Sequence, residues 1–165
     1  MEALSLYSIP QSPIMKRVAV IGIGNVLMSD DGAGVKVLEL LQGKLPEGVT
    51  TIELATGGMT LLHKLEGLDT AIICDAADFG GTPGEVRVFS PDEIESVKTI
   101  GYSLHDIDIM KVLEMAKELG HLPGSVFIVA IQPVNLSFSE ELSPEVAASL
   151  PELASRILEI TAQNI

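Results

Sequence analysis

The sequence predicts an α/β fold: a three-layer sandwich built on a five-stranded, mostly parallel twisted sheet, with one antiparallel edge strand and helices on both faces. Three observations carry that prediction. Val18–Gly24 and Thr70–Cys74 are continuous apolar runs of strand length, as expected of strands covered on both faces. Segments with helical apolar spacing alternate with such runs, the pattern of a parallel sheet with crossover helices. A dense turn signal, Gly80-Gly81-Thr82-Pro83-Gly84, then breaks the rhythm and precedes the alternating Val86-Arg87-Val88-Phe89, which reads as a half-exposed edge strand reached by a hairpin-like excursion.

The elements follow in order. After the first strand, Val35, Leu38 and Leu41 recur at helical spacing, and Val49–Leu54 forms a second strand. A short helix over Thr60–Leu65 ends near Gly67, and Thr70–Cys74 is the third strand. Beyond the edge strand, Ser103-Leu104-His105-Asp106 resembles a capping box with Asp in the N3 place. The helix behind it carries Ile109, Val112, Leu113, Ala116 and Leu119 inward and closes at Gly120, a C′ residue free to adopt positive φ. Val126–Ile131 is the fifth strand. The last helix starts at Ser143-Pro144, an N-cap followed by Pro at N1, and turns Leu150, Leu153, Ile157 and Ile160 inward, with a kink expected at Pro151.

Composition limits the partners. The chain has 165 residues, 47% of them hydrophobic, enough for one full core and too many for disorder over most of its length. Ten basic against 23 acidic residues give a net charge of −13, which repels phosphate backbones and anionic lipid, so neither nucleic acid nor membrane is expected as a partner. Its apolar runs are strand-sized, short of the roughly 20 residues of a membrane helix. The single cysteine makes no internal disulfide and suits a reducing, cytoplasmic setting. Residues 1–14 carry two prolines and no basic n-region, so they are expected to form a loose extension rather than a signal peptide, with residues 15–165 as one domain.

In open α/β sheets, functional groups gather outside the carboxyl ends of the parallel strands. Gly24-Asn25-Val26-Leu27-Met28-Ser29-Asp30-Asp31-Gly32-Ala33-Gly34 follows the first strand, Asp75 the third and Gln132-Pro133 the fifth. A phosphate site fails here. Position 27 is leucine where a dinucleotide fingerprint needs its third glycine, and two aspartates stand where the helix would receive an anion. A metal site fits better. Asp31 and Asp75 lie at neighbouring strand ends, and His105 lies near a helix start whose positive end keeps the imidazole neutral and free to ligate. Two carboxylates and an imidazole suit a divalent ion such as nickel or zinc with open positions left over. Singly, each residue also fits a structural role: an N-cap for Asp30 or Asp31, a solvated loop carboxylate, a helix-start histidine. Cys74 reads as core, His63 and His121 as surface residues, and no HExxH or GxSxG motif occurs.

The stretch from Val20 to Val35 resembles the opening motif of the nickel–iron hydrogenase maturation endopeptidases. Thr56-Gly57-Gly58-Met59, Cys74-Asp75-Ala76, Pro83-Gly84, Ser103-Leu104-His105 and Ile131-Gln132-Pro133 follow in that family's order, so the likeness runs from about residue 17 to 160. The resemblance implies an endopeptidase that removes the C-terminal extension of the hydrogenase large-subunit precursor after nickel insertion. Nickel is then carried by the substrate and serves as the recognition element, with another divalent ion able to stand in for it. The family's ligands carry over to Asp31, Asp75 and His105, which the resemblance also makes the catalytic set. Asn25, Asp30, Glu53, Thr56, Gly57 and Gly58 become the expected substrate loop.

Two departures stand out. The family often has glutamate at the first ligand position, where this chain has the shorter Asp31, and Asp30 is a conceivable substitute. Relatives typically read Asp-Gly-Gly-Thr where this chain reads Glu53-Leu54-Ala55-Thr56. Two rival functions remain at this level. One is a non-catalytic nickel-binding chaperone. The other is a phosphoacceptor receiver-like domain, weakened because its acidic pair lies six residues beyond Gly24 and no lysine follows the fifth strand.

Overall fold

The sheet has the order β2-β1-β3-β5-β4, with β1 at Val18–Ile23, β2 at Thr50–Leu54, β3 at Thr70–Ala76, β4 at Val86–Phe89 and β5 at Ser125–Ile131. The computed structural model describes residues 14–55, 58–97 and 104–165, with side chains of 95–97 and 104–108 outside that description. The expected extension at 1–14 therefore lies almost wholly outside the described residues, as do Thr56, Gly57 and the Ser103 cap. All pairings are parallel except β4 with β5, so the mostly parallel sheet with one antiparallel edge is as expected.

The excursion is not a hairpin on β3. β5, apolar from Val126 to Ile131, runs beside β3 over seven residue pairs, and the half-exposed β4 is displaced to the outer edge, where Arg87 can face water. Central positions go to the strands that are apolar on both faces.

Alternate residues of each strand serve two cores. Val18, Val20, Ile72, Cys74, Val129 and Ile131 pack under α1 (Ala33–Leu41) and α5 (Pro144–Asn164). Ala19, Ile21, Ile23, Ile73 and Ile128 face α2 (Gly58–Leu65) and α4 (Leu104–Glu118). The α5 helix is continuous through Pro151, with Leu153, Ile157 and Ile160 buried and Ser143 accepting the Val146 N–H at 3.4 Å. One element went unforeseen: α3 (Pro91–Val97), opened by a reciprocal capping box in which Ser90 N–H donates to Glu93 and Glu93 N–H to Ser90 Oγ. No helix among the described residues is long and apolar enough to cross a membrane.

Helix α1 approaches the sheet so closely that only glycine fits. A Cβ on Gly34 would lie 2.4 Å from the Cys74 carbonyl oxygen and 2.5 Å from that of Ile23. Alanine would gain about 1 kcal/mol of helix propensity, but both obstacles are main-chain atoms and overpacking of this kind costs about 1–3 kcal/mol or more. The clash wins. Gly34→Ala is expected to lower Tm by several degrees in a thermal melt; an unchanged or raised Tm would show that α1 can lift off freely.

Candidate functional site

Strand order reverses between β1 and β3: from β1 the chain moves outward to β2, and from β3 it builds toward the other edge. Such a switch point opens a crevice at the carboxyl ends of the two strands. Both aspartates predicted as site residues flank it. Asp31 sits in the 3-10 turn Ser29–Gly32 that leaves β1, and Asp75 is the penultimate residue of β3.

The turn carrying Asp31 is built from the motif residue by residue. Gly24 adopts φ 142° and so lets the chain fold back until the Asp31 carbonyl lies where a Cβ would be, 1.8 Å away. Asn25 accepts the Leu27 N–H on its side chain at 3.0 Å, an Asx turn, and its own N–H donates to Asp31 Oδ2 at 2.9 Å. Ser29 is held in the left-handed region at φ 48°. Its N–H donates to the Ser139 carbonyl at 2.7 Å and its hydroxyl to that of Glu141 at 2.8 Å, contacts that over-determine the strained residue. Asp31 is thus an oriented carboxylate, 6% exposed. Gly34, three residues on, lies against the carbonyl of Cys74, next to Asp75.

Asp75 is 1% exposed and pairs in register with Ala130, so its side chain lies on the α2/α4 face of the sheet. It lines a small cavity with Phe89, Ile94, Ile109, Met110 and Ile128. A buried titratable group lining a cleft is a candidate functional residue. Ile109 and Met110 belong to α4, which runs back from the carboxyl-end rim to the start of β5. His105 lies in the first turn of that helix, four residues before Ile109; its side chain lies outside the described residues. Among the described residues, no three His, Cys, Asp or Glu side chains are grouped to hold a metal ion.

Asp30 is not a substrate-facing residue, nor a stand-in for Asp31. It is fully buried, and its carboxylate accepts the N–H groups of Val134, Asn135 and Ser143 and the Ser143 hydroxyl at 2.7–2.9 Å. Burial pushes its carboxyl up, but the donors of Asn135, Val134 and Ser143 together outweigh that and hold it below its ordinary value of 3.8. Glu53 is also elsewhere. It is exposed and pairs with Gly22, whose face is covered by α1; it therefore projects from the face of the sheet opposite Asp75. Of the expected loop, Thr56 and Gly57 lie outside the described residues, and Gly58 opens α2.

Gln132 is more deeply involved than its position after β5 suggested. Its buried side chain accepts the N–H groups of Phe79 and Gly81, each at 3.0 Å, and donates to Asp78 at 3.0 Å. The loop after β3, beginning two residues beyond Asp75, is fastened to the end of β5 in this way. Cys74 is core, as expected: burial first, and the neighbouring Asp75 charge second, push its thiol far up and leave it unreactive.

Fold and site together define a doubly wound α/β protein with buried acidic groups at its switch point. The chain matches the family model described as hydrogenase maturation protease over residues 35–160. It is 34% identical over 155 residues to the hydrogenase expression/formation protein HupD of Rhodobacter capsulatus, an alignment covering 91% of this chain and 74% of the relative. Among solved structures it is similar to the hydrogenase maturating endopeptidase HybD of Escherichia coli, with TM-score 0.81, 28% identity, and 89% and 93% of the two chains covered. It also resembles the [NiFe] hydrogenase maturation protease HybD of Thermococcus kodakarensis, with TM-score 0.75, 30% identity, and 88% and 99% covered. The chain belongs to the hydrogenase maturation protease family and is an endopeptidase of that family.

Proposed function

We propose that this endopeptidase removes the C-terminal extension of a nickel–iron hydrogenase large-subunit precursor after nickel insertion, and that Asp31, Asp75 and His105 hold the precursor's nickel. The observation that carries this reading is the pair of buried carboxylates at adjacent strand ends across the switch point. Family membership supports the precursor as client and the cytoplasm as the place of action. The chemistry of the donors is suitable: two carboxylates and an imidazole bind borderline divalent ions while leaving positions open.

The protein's own residues orient and shield. The Asn25 N–H aims the Asp31 carboxylate, the apolar walls around Asp75 keep water from competing for it, and Gln132 steadies the neighbouring loop. A divalent ion held there supplies Lewis-acid polarisation of the scissile carbonyl or of an attacking water. Because the ion arrives with the client, an unloaded precursor offers nothing for the three residues to grip, and cleavage reports completed metal insertion.

Nickel-free and nickel-loaded precursor, incubated side by side with the purified protein, are expected to differ completely: only the loaded form is shortened. Equal cutting of both would refute recognition through the metal.

A further inference from the structure

Five of the eleven exposed large hydrophobic residues among the described ones stand on two loops: Val26, Leu27, Val134, Leu136 and Phe138, between 37% and 78% exposed. The loops are one surface. Met28 and Ser139 form a parallel bridge, Ser139 N–H donates to the Leu27 carbonyl at 2.9 Å, and Asp30 N–H to the Asn135 carbonyl at 3.0 Å. Clustered exposed apolar side chains on a surface otherwise rich in charge mark a place that another chain covers. Its position, at the carboxyl ends of β1 and β5, adjoins Asp31 in the same turn.

Charge identifies the kind of chain. At the rim of this surface Glu140, Glu141 and Glu145 are exposed, and residues 25–31 and 133–145 contain no lysine or arginine. Lys36 reaches this loop, its ammonium donating to the Glu140 carbonyl. A partner complementary to this surface is apolar at its centre and basic at its flanks. We infer that loops 25–28 and 133–139 dock the client polypeptide, through an apolar segment flanked by lysine or arginine close to the bond that is cut. This rests on the function proposed above. The internal clasp on Asp30 fixes the surface before the client arrives, so little ordering cost is left for binding.

The test compares wild type with Val134→Ser/Leu136→Ser/Phe138→Ser, using nickel-loaded precursor and reading both cleavage kinetics and direct binding. Loss of an apolar anchor cluster is expected to raise KM and Kd by about tenfold or more, with kcat within about twofold. Glu140→Lys/Glu141→Lys is expected to weaken binding at low salt and much less at high salt, where exposed charges are screened. Phe138→Ser alone, at a position 78% exposed, cannot open the core and is expected to raise KM by about threefold should the triple variant fail to fold.

Cleavage with unchanged KM in these variants would overturn the docking surface and leave the protease function standing. If wild type cuts no precursor, the proposed function fails, and binding still decides the surface: loss in the triple variant supports it, and equal binding overturns it. Self-association of wild type that the triple substitution abolishes would assign the patch to a second copy of this chain and overturn the client assignment.

Discussion

Asp75→Asn is expected to yield a folded protein that no longer shortens the precursor, with kcat/KM down by about 1,000-fold or more, the scale seen when a group stabilising the transition-state charge is lost. Asparagine conserves the volume of the side chain in its cavity against Phe89 and Ile109. The main-chain register of β3 with β5 is indifferent to the substitution. What disappears is the negative charge, which the function proposed above uses to hold the precursor's divalent ion. Because the isosteric amide fits the same cavity, the fold is expected to be kept. Precursor processing on a gel, run beside a thermal melt, checks both halves. Loss of activity with a collapsed Tm would make Asp75 a structural acid, and retained cleavage would remove it from the site altogether.

Asp30→Ala acts in the opposite sense, on stability before activity. Removing the carboxylate orphans three main-chain donors, two part-buried and one buried, and one buried hydroxyl. Each such donor costs about 1–3 kcal/mol when left alone, but the 133–143 loop can relax toward water, so a net loss of about 3–5 kcal/mol is expected. Against a typical total of about 5–15 kcal/mol, that is a Tm drop of about 10 °C or more. The pH dependence follows from the lowered carboxyl. The Asp30 contribution is complete above its unfolded value of 3.8 and is lost as pH falls through the lower folded value. Wild type should therefore shed stability steeply below about pH 4, and Asp30→Ala should show a shallower acid limb. Identical acid limbs in calorimetry would contradict the clasp.

How much of this was legible in the sequence depended on the range of the interaction. The runs of β1 and β3 announce central strands because every residue in them meets a core. The same locality could have revealed α3, since Ser90-Pro91-Asp92-Glu93 holds its capping box within four residues. It could also have turned Glu53 away from the site: Ile52 and Leu54 share one core, so period-two alternation puts Glu53 on the other face. The partner of β4 was less legible, because pairing with β5 rather than β3 is decided by competition for the centre of the sheet. The role of Asp30 was not legible at all. Its donors lie 104 to 113 residues away, and neither periodicity nor spacing distinguishes it from Asp31 beside it. These adjacent identical residues take different partners: Asp30 gathers the 134–143 segment, while Asp31 accepts the Asn25 N–H.

The clasp on Asp30 grips mainly main-chain amides, those of Val134, Asn135 and Ser143. It is therefore blind to which side chains residues 134, 136 and 138 carry outward. A lineage can rewrite those outward positions, or an engineer can graft them from a paralogue, and the segment will still seat in the same frame beside the same acid. Divergence of client choice and constancy of chemistry are thereby uncoupled, which makes this loop a natural cassette for retargeting.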